Sequence, residues 1–234
     1  MSRNHPHHST MAGLFITFEG GEGSGKTSQI QLLYHSLHAE FPQLEIIRTR
    51  EPGDTSPAEE IRSILVNGDK DKITPQTEAL LMVAARTENV DKIIRPAKQR
   101  NAIILCDRFA DSSRVYQALA HHREFDEIDW LHRFGFQNMQ PDLTFYLDVE
   151  PQVGLARAEE RASQNNDKNQ SDEDRFEGKG LAFHHAVRDG FLKLAEQFKE
   201  RIYVIDAHQS ESQISTEILD ITRQYLKKYI GRDC

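Results

Sequence analysis

A glycine-rich loop followed by lysine and threonine is the most specific chemical signal in this sequence. Residues 20–27, Gly-Gly-Glu-Gly-Ser-Gly-Lys-Thr, fit the pattern Gly-x-x-x-x-Gly-Lys-[Ser/Thr]. In such a loop the backbone N–H groups cradle phosphates, the lysine reaches the β and γ phosphates, and the threonine hydroxyl ligates Mg²⁺. The pattern predicts a nucleoside triphosphate site with Lys26 as a catalytic residue. Its predicted members are Gly20, Gly21, Glu22, Gly23, Ser24, Gly25, Lys26, Thr27 and Ser28.

GTPases, mechanical or partitioning ATPases and small-molecule kinases all use this loop. The guanine-binding tetrapeptide Asn-Lys-x-Asp does not occur, which argues against a GTPase. A kinase acting on small anions needs a second cationic site, because two phosphate groups must approach each other in line. Arg50, Arg86 and Arg108 are candidates for that site. Taken singly, each could equally be a surface ion pair or a solvated side chain.

The elements that must position these residues follow an alternating pattern. Short apolar runs predict strands at 14–19, 45–49, 102–106, 143–148 and 201–206. Helical periodicity lies between them, including a segment over 76–94, a pair of helices within 113–138 and a closing helix over 213–229. Strands separated by helical crossovers indicate an α/β fold of the phosphate-loop NTPase type, with five parallel strands flanked by helices on both faces. Arg50 and Arg108 then lie at carboxyl ends of strands, where open α/β sheets bind ligands.

The chain organisation is that of a single domain. Residues 13–231 form the predicted domain, and the polar residues 1–12 are expected to be a disordered leader. Residues 163–174 contain no hydrophobic side chain, which predicts a mobile insertion within a small lid at about 157–177.

Composition excludes several classes of partner. With 29 Lys and Arg against 37 Asp and Glu, the net charge is −8, which argues against a protein that coats nucleic acid. No apolar run is long enough to cross a membrane. Two cysteines, Cys106 and Cys234, cannot form a disulfide framework, so we expect a cytoplasmic protein.

Several further motifs strongly resemble those of the thymidylate kinases, which phosphorylate dTMP to dTDP. They are Thr-Arg-Glu-Pro-Gly at 49–53, Asp-Arg-Phe-Ala-Asp-Ser-Ser at 107–113, Tyr-Gln at 116–117 and Pro-Asp-Leu-Thr at 141–144. The resemblance extends from residue 14 to residue 229, and other phosphate-loop kinases do not share this combination. It implies transfer of the γ-phosphoryl group from ATP with Mg²⁺ to dTMP, in a homodimer packed through the middle helices.

The resemblance also implies roles for individual residues. Arg108, aided by Arg62, would hold the dTMP phosphate, since a guanidinium fork matches phosphate oxygens. Arg86 would donate to a thymine carbonyl, and Tyr116 would lie beside the sugar. The implied dTMP-binding residues are Glu51, Arg62, Met82, Arg86, Arg108, Ser112, Ser113, Tyr116 and Gln117. The implied metal contacts are Thr27 directly, with Glu19 and Asp107 through Mg²⁺-bound water.

The phosphate loop lacks an arginine, which makes the resemblance one to the bacterial type of this family, in which the lid supplies the catalytic arginine. The loop residues Glu-Gly-Ser at 22–24 supply no cation, so the lid would supply it. Arg157 and Arg161, four residues apart on one helix face, are the candidate catalytic arginines beside Lys26 and Arg108, and Arg175 follows the polar insertion. The alternative for Arg157 and Arg161 is a set of salt bridges on a solvated helix.

Two positions depart from the family pattern. Met82 stands where a phenylalanine usually stacks on thymine, and Asp54 stands where a second glycine is common. Met82 keeps open a kinase of another nucleoside monophosphate or of a deoxynucleoside. A phosphate-loop ATPase that acts as a switch for a protein partner is the alternative from a different class.

Overall fold

Five parallel strands form the central sheet in the order β2-β3-β1-β4-β5. The computed structural model describes residues 13–67, 72–121, 125–165 and 180–230. The strands are β1 (Phe15–Gly20), β2 (Ile46–Arg50), β3 (Ile103–Asp107), β4 (Leu143–Asp148) and β5 (Ile202–Asp206). Each lies within a residue or two of its predicted position, because the strands of a parallel sheet covered on both faces are nearly continuous apolar runs.

Helices cover both faces of the sheet. In chain order they are α1 (Lys26–Glu40), α2 (Ser56–Val66), α3 (Pro75–Asn89), α4 (Arg95–Gln99), α5 (Ala110–His121), α6 (Phe125–Phe136), α7 (Pro151–Asn165), α8 (Gly180–Gln197) and α9 (Glu211–Ile230). On one face, alternate residues of β1 such as Ile16 and Phe18 pack with α1 and α9. On the other face, Phe15 packs with α4 and α6. The predicted α/β architecture with helices on both faces is confirmed.

One helix boundary differs from the sequence prediction. The segment expected over 76–94 ends as α3 at Asn89 and continues through a π-helical turn, Val90–Ile94, into α4. Pro96 lies in the first turn of α4, and its ring supplies no N–H to the helical hydrogen bonds. The chain thus passes the proline by opening one wider turn instead of ending the helix.

The predicted leader 1–12 and most of the polar insertion lie outside the described residues. Helix α7 carries the first part of the predicted lid as far as Asn165, and α8 begins after it at Gly180. The lid and the single-domain boundaries stay predictions. Within the described ranges, no helix combines the length and apolar character needed to cross a membrane.

Candidate active site

The phosphate loop leaves β1 at Gly20 and enters α1 at Lys26. The Lys26 side chain is largely buried, and its Nζ donates to the carbonyl oxygens of Gly21 at 3.0 Å and Gly20 at 3.4 Å. The ammonium group therefore lies over the loop, at the N-terminus of a long helix whose dipole also favours an anion. This arrangement suits the β and γ phosphates of a nucleoside triphosphate.

A hydroxyl and a carboxylate meet beside the loop. The Thr27 hydroxyl donates to Asp107 Oδ2 at 3.0 Å, joining the first turn of α1 to the end of β3. Both groups supply the hard oxygen atoms that Mg²⁺ prefers. The pair therefore fits a Mg²⁺ ion at the phosphates, and the direct and water-mediated contacts stay predictions.

Helix α7 packs against the phosphate loop through two glycines. A Cβ atom on Gly23 would lie 1.9 Å from the Gly154 carbonyl oxygen, and one on Gly154 would lie 2.3 Å from the Glu22 carbonyl oxygen. Gly23 also has a φ of 63°, in the left-handed region that favours glycine. Only glycine at both positions allows this backbone contact.

Glu19 is fully buried and holds the turn that follows β3. Its Oε1 accepts from the Phe109 backbone N–H at 2.8 Å, and its Oε2 accepts from the Ser112 hydroxyl at 2.5 Å. Burial, reinforced by the charge of Asp111, raises the pKa of Glu19 to about 7. Glu19 therefore stabilises this turn through two hydrogen bonds. The predicted contact of Glu19 with Mg²⁺-bound water stays a prediction.

Arg108 occupies the turn that Glu19 stabilises. Its φ of 64° is unusual for a residue with a side chain. The backbone N–H donates to Phe18 O at 3.0 Å, and the guanidinium donates to Gly20 O at 2.9 Å while lying 5.5 Å from the Tyr116 ring centroid. Arg108 thus joins the phosphate loop to the neighbouring cleft.

A cleft of about 730 Å³ opens beside the phosphate loop. Its size is within the range of small-molecule sites. The predicted site residues that line it are Glu22, Thr27, Glu51, Arg62, Met82, Asp107, Arg108, Ser112 and Tyr116. The structure therefore brings together residues from the phosphate loop, α1, α2, α3, α5 and the ends of β2 and β3.

Arg86 does not line this cleft, and only 2% of its surface is exposed. Its Nε donates to Glu51 Oε2, Nη1 to Ser113 Oγ at 2.8 Å, and Nη2 to Phe109 O at 3.1 Å. Burial raises the pKa of Glu51 to about 7, against the lowering effect of the Arg86 charge. Three donor positions of Arg86 thus join the segment after β2 to α5 and the turn before it.

Gln117 is likewise buried and bonded within the protein. Its amide Nε2 donates to Glu78 Oε1 at 3.0 Å, which leaves the carbonyl Oε1 as a buried acceptor with no hydrogen-bond partner among the described residues. Gln117, Ser113 and Arg86 form one polar layer between α3 and α5. The predicted base-reading residues are therefore close together, but they are buried and do not line the cleft.

The two candidate lid arginines contact different parts of the protein. Arg157 Nη1 donates to Ala207 O at 3.0 Å, whereas the exposed Arg161 donates to Glu22 Oε1 at 3.2 Å. Glu22 Oε2 also lies 3.9 Å from Arg108 Nη2. Arg161 therefore lies at the phosphate loop, and Arg157 lies against the segment after β5.

Comparison with known proteins identifies the family. The thymidylate kinase family model matches residues 18–218. The chain belongs to the thymidylate kinase family. It is 41% identical to a thymidylate kinase of an Exiguobacterium species over 93% of this chain and 98% of that protein. It is 43% identical to the thymidylate kinase of Caulobacter vibrioides over 92% and 98% of the two chains.

A solved structure gives the same result for the fold. The crystal structure of thymidylate kinase from Ehrlichia chaffeensis superposes with a TM-score of 0.71 at 29% identity, covering 90% of this chain and 99% of that one. The predictions of the family, of a thymidylate kinase enzyme and of its α/β phosphate-loop fold are confirmed. The roles of individual residues stay predictions.

The departure from the thymidylate kinase pattern at Asp54 has a local explanation. Asp54 has a φ of 64°, the conformation that a glycine adopts readily and that aspartate tolerates. Its Oδ2 accepts from the Arg50 N–H at 2.8 Å, and its own N–H donates to Glu59 Oε1 at 2.7 Å. The turn is therefore kept by side-chain hydrogen bonds. Met82, the other departure, lines the cleft.

Two residues of this thymidylate kinase site were missed by sequence reasoning. Glu78 holds Gln117 from α3, and His184 lines the cleft from α8. A signal for His184 was present, because residues 184, 187, 191 and 194 form one helical stripe that is otherwise apolar.

Proposed function

We propose that this chain is a dTMP kinase that transfers the γ-phosphoryl group of ATP to dTMP, giving dTDP and ADP. The observation that carries the proposal is the cleft that joins the phosphate loop to Arg62 and Arg108. A triphosphate on the loop and a monophosphate at these arginines would share the space of this one cleft. Exclusion of water from that space favours transfer over hydrolysis.

The acceptor region offers unused polar atoms. Arg62 Nε and Glu51 Oε1 are buried without hydrogen-bond partners in the described part of the chain, as is Gln117 Oε1. Such atoms cost free energy unless a ligand satisfies them. Arg62 and Glu51 line the cleft, whereas Gln117 does not, so one donor and one acceptor in the cleft match a phosphate oxygen and the N–H of a pyrimidine base. A base lacking the matching edge would leave them unpaired, which is a strong source of selectivity.

Transfer itself needs charge compensation and little else from the protein. Lys26 and Arg108 both donate to the Gly20 carbonyl oxygen at the start of the loop, and Arg161 donates to Glu22 within the loop. When bound at Thr27 and Asp107, Mg²⁺ would neutralise charge on the phosphate oxygens. A lid arginine at the transferring group would act as an arginine finger, and no covalent enzyme intermediate is required.

The homodimer is also part of this proposal. Leu80 on α3 and Trp130 and Phe134 on α6 are exposed, with 82% of Phe134 accessible, and α3 packs against α6. The Trp130 and Phe134 rings stack at 6.1 Å. Large apolar side chains of this kind are typical of protein interfaces. Light scattering should give twice the 26.9 kDa chain mass, and Phe134→Glu should give the monomer.

The proposal also includes a cytoplasmic location, which the buried free thiol of Cys106 supports.

Coupled ADP release tests the activity directly. Turnover is measured with dTMP, dUMP, dCMP, dAMP, dGMP and no acceptor, at saturating ATP and Mg²⁺. Fast release with dTMP and slow release with the others is the expected result. Preference for another monophosphate would assign a different acceptor and implicate Met82. Hydrolysis that ignores all monophosphates would favour the ATPase switch instead.

A further inference from the structure

His184 places an imidazole at the acceptor cleft. It lies on α8, a helix for which the sequence predicted no site residue. It lies in the first turns of α8, is 8% exposed, and lines the cleft together with Arg108 and Tyr116. Its neighbour Phe183 packs on Tyr116 with ring centroids 6.1 Å apart. Tyr116 in turn lies beneath the Arg108 guanidinium. The beginning of α8 therefore covers the end of the cleft where the proposed acceptor phosphate and sugar lie.

The position of His184 is fixed by an ionic fork one helical turn further on. Arg188 Nε and Nη2 donate to the two oxygens of Asp148 at 2.7 and 2.9 Å, and Nη1 donates to Glu150. Asp148 ends β4, and Glu150 directly precedes α7. A bidentate guanidinium–carboxylate pair sets both distance and orientation. Arg188 thus fixes α8 to the same edge of the sheet that carries the phosphate loop.

Packing further along α8 supports the same placement. The Phe191 ring stacks on Tyr146 of β4 with centroids 5.0 Å apart. Gly190 allows close approach to α5, because a Cβ there would lie 2.9 Å from Val115 Cγ1. Residues 184, 188 and 191 are therefore held by one rigid framework. A side chain on such a framework can be placed for a ligand with little loss of conformational entropy on binding.

Resting on the proposed dTMP kinase function, we infer that His184 is an acceptor-binding residue and that Arg188 is its positioning residue. The imidazole donates a hydrogen bond to the sugar–phosphate part of the acceptor nucleotide. It touches no transferring atom, so its effect falls on acceptor binding. Arg188 acts only through the placement of α8.

The chain provides a matched control at the next position. His185 is half-buried, and its Nε2 lies 3.3 Å from Gln152 Nε2. His184→Ala and His185→Ala remove the same imidazole from adjacent positions of one helix. His184→Ala should raise the KM for dTMP by about 3- to 10-fold, the range for one hydrogen bond, with the KM for ATP unchanged. His185→Ala should change neither constant by more than about twofold.

Arg188 is tested through its dependence on His184. Arg188→Lys retains one charge but loses the fork, and should raise the KM for dTMP less than Arg188→Ala does. In the Arg188→Ala background, adding His184→Ala should have a smaller effect than in the wild type. If Arg188→Ala does not fold, the same cycle is run with Arg188→Lys. If His184→Ala raises the KM for dTMP by the same factor in the wild type and in the Arg188 variant, the two effects are additive and Arg188 is not a positioning residue for His184.

The acceptor group is located with 3′-deoxy-dTMP. If His184→Ala costs the same factor with this substrate, the imidazole contacts the phosphate; if the cost disappears, it contacts the 3′-hydroxyl. A KM for dTMP within twofold of wild type in a folded, active His184→Ala variant would overturn the inference. A wild-type enzyme without dTMP-dependent ADP release would instead overturn the proposed function itself.

Discussion

Replacement of Glu19 by glutamine should change how stability depends on pH. Glu19 is fully buried, and its two oxygens accept from Phe109 and Ser112. Glutamine has nearly the same shape, keeps an oxygen for the Phe109 N–H, and cannot ionise. The variant therefore isolates the free energy of a buried carboxylate from the shape of the side chain.

The expected magnitude follows from the two pKa values. Burial raises the pKa of Glu19 from 4.5 to about 7, so the folded protein keeps a proton at pH values where the unfolded chain has lost it. The contribution of Glu19 to folding stability is therefore complete below pH 4.5 and is lost as pH rises to about 7. Each pH unit corresponds to about 1.4 kcal/mol, which gives about 3 kcal/mol over the window. Glutamine does not undergo this loss.

Urea unfolding of both proteins from about pH 5 to pH 8, followed by circular dichroism, measures the effect. The stability of Glu19→Gln relative to wild type should increase with pH and become constant above about pH 7. Burial also raises the pKa of Glu51 and lowers that of His132 to about 2, but these contributions are common to both proteins and cancel in the difference. A flat difference between Glu19→Gln and wild type would refute the reasoning.

Four further substitutions test the phosphate loop and its surroundings. Lys26→Ala should lower kcat by at least about 100-fold with an unchanged circular dichroism spectrum, and turnover near wild type would remove Lys26 from the site. Gly154→Ala places a Cβ 2.3 Å from Glu22 O, so we expect a loss of about 1–3 kcal/mol, seen as a lower Tm in scanning fluorimetry. An unchanged Tm would contradict the backbone contact. Arg157→Ala and Arg161→Ala should lower kcat, by up to about 10³-fold, more than they weaken substrate binding. Full activity in both variants would make them surface contacts.

Much of the fold could be predicted because the responsible signals are local. A buried parallel strand is a short apolar run, and the phosphate loop marks the junction of one strand with the next helix. The π-helical turn Val90–Ile94 could not be predicted, because it depends on how the chain passes Pro96 while Val90 and Ile94 stay in the core. Helix termini of this kind are decided by packing and not by the local sequence.

The site was predictable only where a motif carried it. Glu19 and Arg108 are far apart in the chain, and they meet because Phe18 of β1 pairs with Asp107 of β3 in the sheet. That register decides that the carboxylate faces the turn, and no local pattern contains it. Arg86 illustrates the same limit, because its predicted contact with a base does not reveal that Glu51 and Ser113 already bind it. Motifs locate residues, whereas the directions of their side chains follow from the fold.

The contact between Gly23 and Gly154 has a consequence for how this sequence can vary. Backbone meets backbone there with no side chain between them, so the loop and α7 have no adjustable spacer. A substitution at either position must be accompanied by a displacement of the other segment. We therefore expect positions 23 and 154 to change together among relatives, or not at all. Evolution can alter the arginines on α7 one at a time, but it can move the helix only together with the loop.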